Sequence, residues 1–213
     1  IELKNLKQKN PNLRALAYHL YENNGVVKRE EVLNFLEKVN QEDRKILRSL
    51  GVKFGRYHIF LFKLFKPSTV SLRILLWKNY YQKYFKFNPP TFGLNFYEDK
   101  QAKDRNFMLL CGFEKFDNFF VRIDMLERLF VKIINLNPDN KSEIKVVPEM
   151  LNLLGCNKEN FLKLIKKMNY KTIKKEDDYY FKYMPTKNTN KKYNNKKESF
   201  NNPFDVLKKI SFK

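Results

Sequence analysis

The run from Pro67 to Tyr84 constrains the fold of this chain more than any other stretch. Pro67 stands where proline is favoured, in the first turn of a helix, because its missing N–H would be unpaired there and its φ is already helical. From Val70 onward, Val70, Leu72, Ile74, Leu75, Leu76, Trp77, Tyr80, Tyr81 and Tyr84 fall on almost every face of that helix. A helix apolar all round belongs in an interior. It is too short, and too interrupted by Arg73 and Lys78, to cross a membrane. The expectation is a buried central helix over 67–84. Just before it, Gly51 and Gly55 bracket Val52 and Phe54, and Arg56-Tyr57-His58 leads into an apolar run. Glycines at such spacing mark tight turns or the close approach of another backbone.

Asn10-Pro11 opens a helix with Leu13, Leu16, Ala17 and Leu20 on one face, and Asn23-Asn24-Gly25 ends it. Lys28–Val39 reads as a second helix. Asn40 to Asp43 starts a third, which carries Ile46, Leu47 and Leu50 to a stop at Gly51. Beyond the central helix, Phe87–Leu94 holds two prolines and a glycine and reads as a surface loop. Gln101–Leu110 reads as a short helix and Phe119–Ile123 as a strand. A helix from Asp124 to Asn135 follows, then one from Pro148 to Gly155. Asn157 caps a helix over Lys158–Met168 whose Phe161, Leu164, Ile165 and Met168 share a face. Tyr170–Ile173 and Tyr179–Met184 flank a charged turn as a hairpin. Strand, three helices and a hairpin is the order of a winged helix-turn-helix.

Residues 186–199 cannot bury apolar area and are predicted to be disordered; a short apolar motif, Phe200–Phe204 with Val206, Leu207 and Ile210, closes the chain. The expected fold is therefore mainly α, of α+β type. A helical platform spans 1–111, a winged-helix-like unit 112–185, and a disordered basic tail 186–213.

Of the 213 residues, 43 are Lys or Arg and 23 are Asp or Glu, a net charge of +20. That is the electrostatic footprint of a nucleic-acid binder, although Lys- and Asn-rich usage also follows from an AT-rich genome. Arg is rare beside Lys, so Arg56, Arg73, Arg122 and Arg128 mark places where a planar bidentate donor is expected to matter. Cys111 and Cys156 lack any metal-ligand spacing and are expected to be buried free thiols in a reducing, cytoplasmic setting. The opening residues lack the apolar core of a signal peptide. An Ile at position 1 is expected of a fragment.

The sequence holds no GxxxxGK[ST] phosphate loop and no acidic Mg²⁺ box, so ATP hydrolysis is not expected from these residues. His19 reads as structural. No nucleophile or carboxylate is placed by spacing beside His58, so no catalytic residue, metal ligand or cofactor is assigned, and no small-molecule substrate or membrane is expected as a partner. Binding is better supported. On the helix Lys158–Met168 the apolar face turns Lys163, Lys166 and Lys167 outward, and Lys171, Lys174, Lys175 and Lys182 continue the charge through the hairpin. In a winged helix these are recognition-helix and wing positions that contact phosphates. Arg56, Tyr57, His58 and Arg73 complete the candidate nucleic-acid-binding set, with Tyr57 as a base-stacking ring.

The stretch Leu50-Gly51-Val52-Lys53-Phe54-Gly55-Arg56-Tyr57-His58-Ile59-Phe60-Leu61, with Leu64–Pro67 and Leu72–Trp77, resembles the C-terminal region of alphaproteobacterial DExH-box helicases, themselves similar to the RNA helicase of the mitochondrial degradasome. Pro89-Pro90 through Gly93-Leu94, Val121–Leu129, Val147–Met150 through Leu153–Cys156, and the closing Asn202–Leu207 agree with it. The resemblance covers most of 11–171. It implies an accessory region behind an ATP-dependent RNA or DNA helicase motor, which would bind ATP and Mg²⁺ outside this chain and act with it in cis or in trans. The runner-up is a protein–protein docking module, with Gly51–Phe62 and the proline loop packed on a helicase core and the charge incidental. A free-standing winged-helix DNA-binding regulator is the third reading, disfavoured by the long aromatic front half.

Overall fold

Helix, strand, helix, hairpin: the elements recur in this order three times in the computed structural model, which describes residues 3–7, 9–81, 88–98, 104–137 and 142–184. The first third contains α1 (Pro11–Glu22), β1 (Val26–Lys28), the one-turn α2 (Leu33–Leu36), α3 (Gln41–Ser49), β2 (Val52–Phe54) and β3 (His58–Leu61). The middle third contains α4 (Pro67–Tyr81), β4 (Phe96–Glu98), α5 (Arg105–Leu110), β5 (Phe113–Phe116) and β6 (Phe119–Arg122). The last contains α6 (Ile123–Leu136), β7 (Ile144–Lys145), α7 (Pro148–Leu154), α8 (Lys158–Lys167), β8 (Tyr170–Lys175) and β9 (Asp178–Tyr183). Each third closes a small antiparallel sheet in which the first strand pairs with the third: β1-β3-β2, β4-β6-β5 and β7-β9-β8. The fold is mixed α and β.

Local chemistry repeats along with the topology. The helix before each hairpin begins at an Asn or Asp whose side chain accepts the N–H three residues on: Asn40 from Asp43 (2.8 Å), Asp104 from Phe107 (3.0 Å) and Asn157 from Asn160 (2.8 Å). Such a cap satisfies one of the donors a helix start leaves unpaired. Between each of these helices and its hairpin stands a residue in the left-handed region: Gly51 (φ 90°), Gly112 (φ 89°) and Asn169 (φ 65°). Gly and Asn enter that region at least cost, which lets the chain turn sharply from helix to strand.

The cores run across the thirds. The largest packs α6, α7 and α8 against β9 and takes in Phe119 and Val121 of the middle hairpin. A second joins α1, α3 and the first hairpin. Val26 and Phe60 of the first third, Phe65 just before α4, and Ile123 of α6 make another. Ile1–Tyr183 forms one unit and Met184–Lys213 a second, of which only Met184 is described.

Several expectations hold. The caps at Asn10, Asn40 and Asn157, α7 ending at Gly155, α8 with its apolar face, β6 and the last hairpin lie where patterning places them. Position 112, the expected start of a winged-helix-like unit, falls inside the middle third just before β5. The tail over 186–213 and residues 82–87 lie outside the described residues.

Three expectations are corrected: the all-round burial of the helix at Pro67, the single helix over Lys28–Val39 and the burial of Cys156. The helix at Pro67 is not buried all round: only Val70 and Ile74 are buried, while Leu72, Leu75, Leu76 and Tyr80 face outward. Each third is small, so its first helix needs only one apolar face for its core, and the second face of α4 is left over. Lys28–Val39 is not one helix; Val26–Lys28 pairs with His58–Phe60, which pulls the chain out of helical φ/ψ before a 3₁₀ turn and α2. Gly51–Phe62, where the glycine spacing predicts tight turns, is a hairpin, with Val52↔Leu61 and Phe54↔Ile59 in register. Cys111 is buried and Cys156 half-buried; burial pushes the Cys156 thiol up to about 11.

Candidate nucleic-acid interface

The turn between β2 and β3 places three successive N–H groups, from Arg56, Tyr57 and His58, around one carboxylate. Glu127 Oε2 accepts from Arg56 (2.5 Å), and Oε1 accepts from Tyr57 (2.9 Å) and His58 (2.7 Å). Convergent backbone donors of this kind form an anion-binding concavity. Here the protein's own α6 fills it. Gly55 makes the approach possible: a Cβ there would collide with the Glu127 carboxylate and lie 2.7 Å from the His58 carbonyl oxygen.

The His58 ring is buried between two carboxylates from two different thirds. Its Nδ1 lies 3.3 Å from Glu127 Oε1, and its Nε2 lies 3.2 Å from Glu114 Oε2. Burial opposes the imidazolium, but the hydrogen bonds and charges of Glu114 and Glu127 outweigh it and raise the His58 pKa. Glu114 is also gripped by Arg105, whose Nε and Nη2 donate at 3.1 and 3.2 Å. Although burial works the other way, His58 and Arg105 hold its carboxyl down to about 2.

Above this network opens a cleft of about 560 Å³, lined in part by Lys28, Arg29, Arg56, Lys115 and Lys167, with Glu30, Glu114 and Asp117 among its acids. The five cations come from all three thirds. Arg29 donates to the Gly55 carbonyl (2.9 Å), and Arg56 lies over the Tyr183 ring, 5.4 Å from its centroid. Neither makes an ion pair among the described residues. Burial, and then the positive charges of Arg44 and Arg56, lower the Arg29 pKa. Guanidinium groups that repel one another in this way form an electrostatic trap for an anion. Lys167 reaches the cleft from the end of α8 and pairs with Asp117 at 3.0 Å.

The candidate residues read from sequence divide into three groups. Arg56 and Lys167 meet at the cleft; Lys163, Lys166, Lys171 and Lys174 are exposed on α8 and its hairpin. Lys163 pairs with Glu159 one turn back (2.6 Å), and Lys174 lies 6.0 Å from the Tyr179 ring centroid. Tyr57 and His58 also line the cleft, but their polar atoms are engaged by protein, and Arg73 is engaged by protein away from it. The Tyr57 ring packs edge-on against Phe130 and its hydroxyl donates to the Met168 carbonyl (3.1 Å), so it is not presented for stacking on a base. Arg73 donates to the carbonyl oxygens of Asn24 (2.7 Å) and Leu110 (3.2 Å), joining the first third to the middle one. Likewise, Arg122 is engaged bidentately by Asp124 at 2.7 Å. Scarcity of Arg therefore marks internal clamps as often as exposed ones.

Sequence reasoning missed Lys28, Arg29, Lys115 and the buried pair Glu114 and Glu127. Arg29 sits beside Glu30 and Glu31 and reads locally as part of a solvated face. Only the pairing of β1 with β3 brings it to the Gly55–Tyr57 turn, where its N–H also donates to the Tyr57 carbonyl at 2.8 Å. Comparison with known protein families, curated proteins and solved structures finds no match for the chain.

Proposed function

We propose that the chain is a non-catalytic nucleic-acid-binding protein that grips a phosphate backbone across the cleft and along α8, largely without regard to sequence. The observation that carries this reading is the pair Arg29 and Arg56, unneutralised by any ion pair among the described residues, on the wall of a cleft to which all three thirds contribute cations. Supporting it are the net charge of +20 and the repeated order of helix, strand, helix and hairpin, which we read as three winged-helix-like modules. In such modules the helix before the hairpin faces the groove. Here α3 turns Lys45 and Arg48 to solvent and α8 turns out Lys163, Lys166 and Lys167, while α5 is packed inward by Phe107, Met108 and Leu110. The helicase resemblance extends the proposal: the strand held here would be moved by an ATP-driven motor in cis or in trans, with RNA or DNA as the substrate.

Fluorescence anisotropy with single-stranded RNA, single-stranded DNA and duplex DNA, across a salt series, tests the reading on the full chain. Affinity is expected to fall steeply with salt. R29Q/R56Q is expected to lower it and to reduce the log–log slope by about 0.7–0.9 for each phosphate no longer neutralised. Affinity that withstands salt, or that R29Q/R56Q leaves unchanged, would remove the cleft from the interface.

A further inference from the structure

We infer that the outer face of α4 docks an acidic amphipathic helix of a partner protein. Leu72, Leu75 and Leu76 are 55, 57 and 60% exposed, and Tyr80 is 81% exposed, on the side away from Val70, Ile74 and Trp77. Their i, i+3, i+4 and i+8 spacing forms one side of a helix-on-helix seam. A contiguous apolar ridge on an otherwise Lys-rich chain is the kind of patch that marks an interaction surface. None of these four side chains lines the cleft, and the inference does not rest on nucleic-acid binding.

Charge selects the occupant. From Arg44 to Tyr97 the sequence has no Asp or Glu and eleven Lys or Arg, with Lys66 and Lys78 on the helix's own flanks. A second copy would bring the same excess of positive charge against itself, which like-charge repulsion opposes. Leucine side chains offer a phosphate backbone nothing. A helix with an apolar stripe and Glu or Asp beside it satisfies both parts of the surface: the stripe covers the leucines and the acids meet the lysines.

Trp77 is the only tryptophan, and it lies on α4 with its ring 5.5 Å from that of Phe107, so it reports on this helix. The probes are a synthetic helix-forming Leu/Glu peptide, with leucines at i, i+3, i+4 and i+7, and a scrambled peptide of the same composition. Titrated into the full chain, the patterned peptide is expected to bind saturably, by labelled-peptide anisotropy and Trp77 fluorescence. Binding is expected to weaken with salt and to weaken at least tenfold in L75Q/L76Q, with the scrambled peptide inactive. Circular dichroism checks that the variant folds, and the single substitution L72Q replaces it if it does not. Equal binding of both peptides, binding untouched by the substitutions, or no binding overturns the inference. So does a concentration-dependent dimer in sedimentation that L75Q/L76Q abolishes, which assigns the face to a second copy. Flotation with phosphatidylcholine–phosphatidylglycerol vesicles, abolished in the same variant, assigns it instead to a lipid surface.

Discussion

Glu127 accepts hydrogen bonds from three consecutive backbone N–H groups and lies within reach of the His58 ring, so removing its carboxylate leaves several buried donors unpaired together. Breaking a buried ionic network from one side is costly because the remaining groups keep their desolvation penalty. E127A is expected to destabilise the protein by about 3–5 kcal/mol, measured by urea unfolding. His58 gives this network a pH signature. Its pKa is raised on folding, so its contribution is complete below its ordinary value of 6.5 and is lost as pH rises through the folded value. Glu114 acts in the opposite sense: its contribution is present above 4.5 and is lost as pH falls towards about 2. The thermal midpoint is therefore expected to fall on the alkaline side of pH 6.5, and H58Q is expected to flatten that alkaline slope while leaving an acid limb. A wild-type midpoint that rises between pH 6.5 and 8 would contradict the assignment.

The capped helices before the hairpins can be tested separately as elements. N40A and N157A each remove a side-chain acceptor at a helix start and are expected to cost about 1 kcal/mol in thermal or urea unfolding. These caps are also where sequence reading works best, because a cap, an apolar stripe and a left-handed stop are all local. Asn157 with Phe161, Leu164 and Ile165 is legible for that reason, as is the charged turn between Tyr170 and Tyr183. What escapes is non-local. β1 has three residues, and its partner His58–Phe60 lies about thirty positions along the chain, so neither propensity nor periodicity reveals the pair. The same gap hides the cleft, since Arg29, Lys115 and Lys167 become neighbours only through three separate sheets. Helix α4 misleads in another way: apolar residues on both faces show that both avoid water, but not that both are covered by this chain.

At the scale of the whole molecule, cores and polar clamps cross the boundaries between thirds. Asn160 Nδ2 donates to Glu98 at 2.7 Å, Asn95 Nδ2 to the Leu153 carbonyl at 3.0 Å, and Arg73 to Asn24. Unfolding of the thirds is accordingly expected to be one transition. Trp77 fluorescence, which reports on the middle third, and far-UV circular dichroism, which reports on all three, are expected to give the same urea midpoint in the wild type. In E127A, which cuts the tie between α6 and the first hairpin, the two midpoints are expected to separate. Separate midpoints in the wild type would instead show thirds that fold independently.

No spacer separates the middle and last thirds: β6 ends at Arg122 and α6 begins at Ile123. The angle at which one third follows the next is thus written into the dihedrals of a single residue, φ −67° and ψ 124° at Arg122. Each helical residue turns about 100° round its axis. One residue inserted at this joint would therefore rotate the whole downstream helix out of phase and swing Glu127 away from the loop it fills. The splice behaves as an indexing mark, setting the rotational phase of everything beyond it, and length variation in this chain is tolerable in its loops but not at that seam.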